Sequence, residues 1–172
     1  MKIRTTFYLV IGLLLCFPSL AFAARLETRF GPILYDSTEQ LREYGRCLYP
    51  FLPRALNFTD PTQEEIVSRH EYIFETICDR LGIRLNGQKT AVQLVDSVDE
   101  LRAEYHRLVP DSRKTVKAFY SHQDKTIWYA LNRLDHDVAL HETAHAILDH
   151  YFFRPIPAGI DESVAEMVER TH

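Results

Sequence analysis

Apolar residues recur along this chain in two periods, one of 3.6 and one of 2. After Asp36, Ser37 and Gln40 are placed as a capping box, and Leu41, Tyr44 and Leu48 share one face, which predicts a helix ending near Pro50. Pro53 closes that stretch. Asp60-Pro61 reads as a second start, a capping Asp with Pro at the first helical position. Ile66, His70, Ile73, Ile77 and Leu81 then follow at helical spacing until Gly82 stops them. His70 on that stripe is expected to be packed and hydrogen-bonded, because no second ligand sits one turn away. Thr90 to Val95 reads as a strand, and Ser97 with Glu100 caps a helix from Val98 to Leu108. Thr115–Ser121 and Thr126–Leu131 are β-rich runs joined by His122-Gln123-Asp124-Lys125, a hairpin by composition and loop length. A helix follows from about Asp135 to Asp149, then a Pro-rich loop from Phe153 to Gly159, then a last helix from Asp161 to Arg170. This order predicts an α+β fold with a small mixed sheet, preceded by two N-terminal helices.

Composition changes that picture only at the N-terminus. With 46% hydrophobic and 26% charged residues, the 172-residue chain is of ordinary globular make-up. Its net charge of −4 gives no electrostatic support for nucleic-acid binding. Lys2 and Arg4 precede an apolar run from Phe7 to Phe17, and Ala21-Phe22-Ala23 follows. The run is about half the ~20 residues a spanning helix needs. Positive start, short apolar stretch and A-x-A site together predict a signal peptide over residues 1–23, cleaved after Ala23. Residues 24–172 would then form one exported domain, periplasmic or secreted, whose membrane contact ends with cleavage. Export favours cysteine pairing. Cys47 and Cys78 are the only two cysteines beyond the leader, so one disulfide between them is expected.

The helix after the hairpin contains His141-Glu142-Thr143-Ala144-His145, an H-E-x-x-H sequence. Four residues advance a helix by slightly more than one turn, so both imidazoles leave one face. Two neutral imidazoles are good zinc ligands, and Glu142, one step round, is placed to take a proton from a water on the metal. Val138, Ala139, Leu140, Ala144, Ala146 and Ile147 make the helix apolar on most sides. Two histidines and a glutamate in such a helix are costly unless partnered, and a metal satisfies all three. A third protein ligand is then needed. Glu162 opens the last helix, 17 residues after His145. Asp149, His150 and Asp161 compete with it. Glu166, one turn beyond Glu162, is expected to hold a ligand histidine by its free ring nitrogen.

His141 to His145, with Glu162-Ser163-Val164-Ala165 downstream, resembles the zincin superfamily of zinc metallopeptidases in its gluzincin branch, which takes a glutamate as third ligand. The resemblance covers about Val116 to Glu166 and is greatest to small exported bacterial zincin-like proteins. Metzincins are excluded, because Leu148 and Tyr151 stand where their Gly and third His would be. The resemblance implies a zincin-like minidomain with one zinc ion on His141, His145 and Glu162, Glu142 as base, and a peptide or protein substrate. It also implies that Ala118, Phe119 and Tyr120, reached from Lys117, form the cleft's edge strand and bind extended substrate by β-addition. For the Tyr or His that assists the oxyanion in this branch, Tyr151, His150 and His172 are candidates. The rival expectation is a zinc-binding module of the same fold, binding or inhibitory but not hydrolytic. A third is an envelope structural protein whose histidines hold no metal.

Overall fold

The computed structural model describes residues 24–49, 60–110, 116–152 and 154–170. The expected signal peptide, Pro53 and His172 lie outside these. Among the described residues no helix is long and apolar enough to cross a membrane. The fold is α+β: a five-stranded mixed sheet with five helices, the last two packed together. Strands β1 (Ala24–Thr28), β2 (Gly31–Tyr35), β3 (Ala91–Val95), β4 (Ala118–Ser121) and β5 (Thr126–Ala130) stand in the order β1-β2-β3-β5-β4. The outer pairs are antiparallel and the two inner pairs parallel.

The strands β1 and β2 are absent from the sequence expectation. Gly31 and Pro32 both lie within β2. Gly31 has φ 141°, and a Cβ there would meet the Thr90 carbonyl oxygen at 2.0 Å, so only glycine lets β2 pass the start of β3.

Helices α1 (Thr38–Cys47), α2 (Gln63–Leu81) and α4 (His136–Tyr151) cover one sheet face, with Ile33, Val92, Leu94, Ile127 and Tyr129 beneath them. Helix α3 (Val98–Leu108) covers the other, on Val95, Phe119 and Ala130. The split follows strand alternation: even positions of β3 and β4 enter the larger core, odd positions the smaller. Ser37, Ser97 and Asp135 cap α1, α3 and α4, and Gly82 ends α2 in a left-handed conformation. The start of α2 is shifted from the expected Asp60-Pro61. Thr62 caps it through a reciprocal capping box with Glu65, which satisfies two backbone donors where Asp60 would satisfy one. Helix α5 (Ala158–Arg170) begins three residues earlier than expected, shortening the Pro-rich loop.

Cys47 and Cys78 are not joined in a disulfide, contrary to expectation. Helix α1 meets α2 where Tyr44 bonds His70 and where a Cβ on Gly45 would press on Ile66 at 2.6 Å. From Tyr44 to Gly45 the contact moves towards the start of α2, so Cys47 lies at that end. Cys78 lies twelve residues past Ile66, roughly 18 Å along the helix, whereas a disulfide tolerates about 7 Å between Cα atoms.

His70 is packed as expected, with Tyr44 Oη 2.8 Å from its Nδ1. Burial lowers its pKa to about 3. The unfolded chain therefore takes up a proton below about pH 6.5 that the folded chain refuses until about pH 3. Across that window this group should remove about 1.4 kcal/mol of stability per pH unit as pH falls, with its contribution complete above 6.5. Urea unfolding at pH 7 and pH 4.5 measures it. His70→Leu should lose less between those two pH values than wild type, and equal losses would contradict the assignment.

Candidate metal centre

Helix α4 is fixed to the sheet before its chemistry begins. Ala139, Leu140, Ala144 and Ile147 are fully buried against it. The Tyr129 hydroxyl of β5 reaches the Ala139 carbonyl at 3.2 Å and Thr143 Oγ1 at 3.3 Å. That bond holds the middle of the H-E-x-x-H turn. His141, Glu142 and His145 face away from the apolar contacts into a cleft of about 480 Å³.

Helix α5 returns along α4, burying Ala165 and Val168 and accepting a 2.6 Å hydrogen bond from Arg80 of α2 at the Val168 carbonyl. Its first turn meets His145 and its last turn meets His141, so the two helices run in opposite senses. The arrangement brings His141, His145 and Glu162 together as a group that could hold a metal ion. The two Nε2 atoms lie 3.2 Å apart, with the rings edge-on at 79°. Glu162 Oε1 is 3.5 Å from His141 Nε2, and its Oε2 is 3.7 Å from His145 Nε2.

These donors fit zinc. Ligands at about 2.0–2.1 Å in a tetrahedral array stand about 3.3 Å from one another, close to all three separations. The outer ring nitrogens are also placed for it. His141 Nδ1 is 3.1 Å from Glu169 Oε2, and His145 Nδ1 is 2.9 Å from Asp161 Oδ2. The Glu169 carboxylate, in hydrogen-bond geometry with His141 Nδ1, favours the proton on that nitrogen and so a bare Nε2, whereas Asp161 stands at ion-pair distance from His145 Nδ1 without a hydrogen bond, which leaves that nitrogen orphaned.

The orienting carboxylate on His141 is thus Glu169, not the expected Glu166, which pairs with Arg170 at 2.8 Å. Seven residues from Glu162 return to the same helical face as four do, and the opposed course of α5 carries the seventh to His141. Asp161, weighed as a ligand, lies instead on the outer nitrogen of His145. Glu169→Gln should weaken zinc binding about 10–100-fold, with Glu166→Ala close to wild type, as read by competition with a chromogenic chelator. The reverse ranking would overturn the assignment.

Asp149 is not at the centre. It is held by the hairpin: Tyr120 Oη at 2.6 Å, His122 Nδ1 at 3.2 Å and the Lys125 ammonium. Burial alone would raise its pKa, but these three partners hold it below the ordinary carboxylate range. His150 bonds Thr90 Oγ1 at 2.8 Å, at the far end of α4. Tyr151 is exposed and packs edge-on against Phe152. Neither lines the cleft, whereas His122, which the sequence did not single out, does.

Glu142 stands beside the ligand group. Burial, helped by the charges of Glu162 and Asp161, pushes its pKa up to about 8 against an opposing hydrogen bond with the Tyr120 backbone. A carboxylate tuned towards neutrality is suited to exchange protons there, and a dication nearby would favour its ionised form.

Strand β4 forms the cleft's floor and the sheet's open edge. The Ala130 amide donates to the Lys117 carbonyl. By antiparallel alternation, Phe119 and Ser121 also direct their backbone groups to β5, while Ala118 and Tyr120 direct theirs outward. The Tyr120 backbone bond to Glu142 agrees with that register. No protein family, curated protein or solved structure matches this chain.

Proposed function

We propose that this protein is an exported zinc metallopeptidase of the zincin type, with Glu162 as the gluzincin third ligand. The observation that carries the reading is the convergence of two imidazoles and a carboxylate at tetrahedral spacing, with each outer ring nitrogen backed by an acid of α5. A structural site would have little use for a further half-buried carboxylate such as Glu142 beside the group.

His141, His145 and Glu162 would hold the ion, which when bound supplies Lewis-acid polarisation of a carbonyl and lowers the pKa of water. Glu142 accepts a proton from the attacking water as its oxygen adds to the scissile carbon. It returns that proton to the nitrogen as the C–N bond breaks, so the products are one carboxylic acid and one amine. Tyr129, through Thr143, keeps the turn carrying Glu142 in place. The open backbone groups of Ala118 and the Tyr120 carbonyl offer hydrogen bonds to an extended peptide.

Metal analysis of the purified chain, paired with digestion of a diverse peptide mixture, tests the reading. One zinc per chain and zinc-dependent cleavage are expected. Stoichiometric zinc without any cleavage would replace it with the binding or inhibitory module, and no zinc would overturn it.

A further inference from the structure

The cleft has two unlike walls. One carries His141, Glu142, His145, Asp161 and Glu162. The other, across the edge strand, is formed by Tyr105, Leu108 and Val109 at the end of α3, with Val116 and Phe119 beside them. None of these five is charged. Val109 is 42% exposed, and Tyr105, Leu108 and Val116 are half-buried. A cluster of half-open apolar side chains, continuous with a polar centre, is the usual make-up of a ligand pocket.

The sheet decides what reaches this wall. A strand laid on the free edge of β4 continues its alternation, so neighbouring side chains leave to opposite faces. One set turns to the face of α4 and the candidate metal centre. The other turns to the face that Phe119 shares with α3. An apolar side chain there would cover surface already half removed from water, whereas a charged one would lose water against these apolar neighbours.

We propose that the α3 wall is a specificity subsite, selecting a large aliphatic or aromatic side chain at one alternate position of an extended peptide paired with β4. The cleavage preference rests on the peptidase reading above; the binding preference does not.

Trp128 is the single tryptophan of the chain and stacks on Phe119, with centroids 6.0 Å apart and planes at 7°. Its emission therefore reports on this wall. The probe is a pair of short acetylated peptide amides of Ser and Thr that differ only in a central Leu or Asp. They are titrated into zinc-loaded protein carrying Glu142→Gln, which prevents turnover. The Leu peptide is expected to change Trp128 emission saturably and to bind at least about tenfold more tightly than the Asp peptide. Val109→Glu, at an exposed position, should erase that difference, with Leu108→Glu as an independent second variant. In the wild-type digest, cleaved sites should share a large apolar residue at one fixed offset from the scissile bond. Equal binding of the two peptides, or a preference unchanged in both variants, would overturn the proposal. Should nothing be cleaved, the peptidase reading falls while the titration still decides the subsite.

Discussion

Glu142→Gln is expected to lower peptide hydrolysis about 10²–10⁴-fold while zinc content and fold stay as in the wild type. The amide keeps the shape of the carboxyl and can still meet the Tyr120 backbone, but it cannot carry a proton from water to the leaving nitrogen. Glu142 is not among the three donors that surround the metal position, so its replacement leaves their spacing intact. The comparison needs one peptide cleaved by the wild type, a kcat for each protein and a zinc determination on the same samples. Undiminished turnover in a zinc-replete variant would remove Glu142 from the mechanism. Loss of turnover together with zinc would mean that its role is structural.

Glu162→Ala should have the larger effect on the metal itself. It removes the carboxylate whose two oxygens face the two Nε2 atoms, at 3.5 and 3.7 Å. Affinity should fall by more than the ~10–100-fold expected for an outer partner such as Glu169. Asp149→Ala is the control and should leave zinc binding nearly unchanged, since Asp149 is occupied by Tyr120, His122 and Lys125. Chelator competition across wild type, Glu162→Ala, Asp149→Ala and Asp161→Ala gives the ranking. If Asp149→Ala or Asp161→Ala cost more than Glu162→Ala, the third ligand would be misassigned while the histidine pair would stand.

The helices were legible because each is marked locally. Ser37 and Ser97 cap as their sequence suggests, with Gln40 and Glu100 accepting from the backbone one residue before each cap, and Gly82 ends α2 where expected. His141 and His145 were legible for the same reason: one helical turn fixes their relation without help from the rest of the fold. What failed depends on how elements cross. Strands β1 and β2 are short, and β2 owes its place to pairing with β3, almost sixty residues away. The expectation for Glu166 follows one helix alone, whereas Glu169 reaches His141 because α5 opposes α4. The disulfide was inferred from a count of two cysteines, which carries no record of α1 meeting α2 at the end far from Cys78. Thr62 was overlooked because Asp60-Pro61 shows the same kind of signal two residues earlier.

The antiparallel seating of α5 also has a bearing on biosynthesis. Asp161, Glu162 and Glu169, the acids that pair with an imidazole of the two among the described residues, belong to this one helix. A nascent chain that has emerged only as far as residue 157 owns both histidines and Glu142 but none of these acids. Such a fragment can hold a dication only weakly, by two neutral nitrogens. Full capture then waits for the last helix to be synthesised and to dock, so an unfinished or clipped polypeptide should hold metal far more weakly than the full chain.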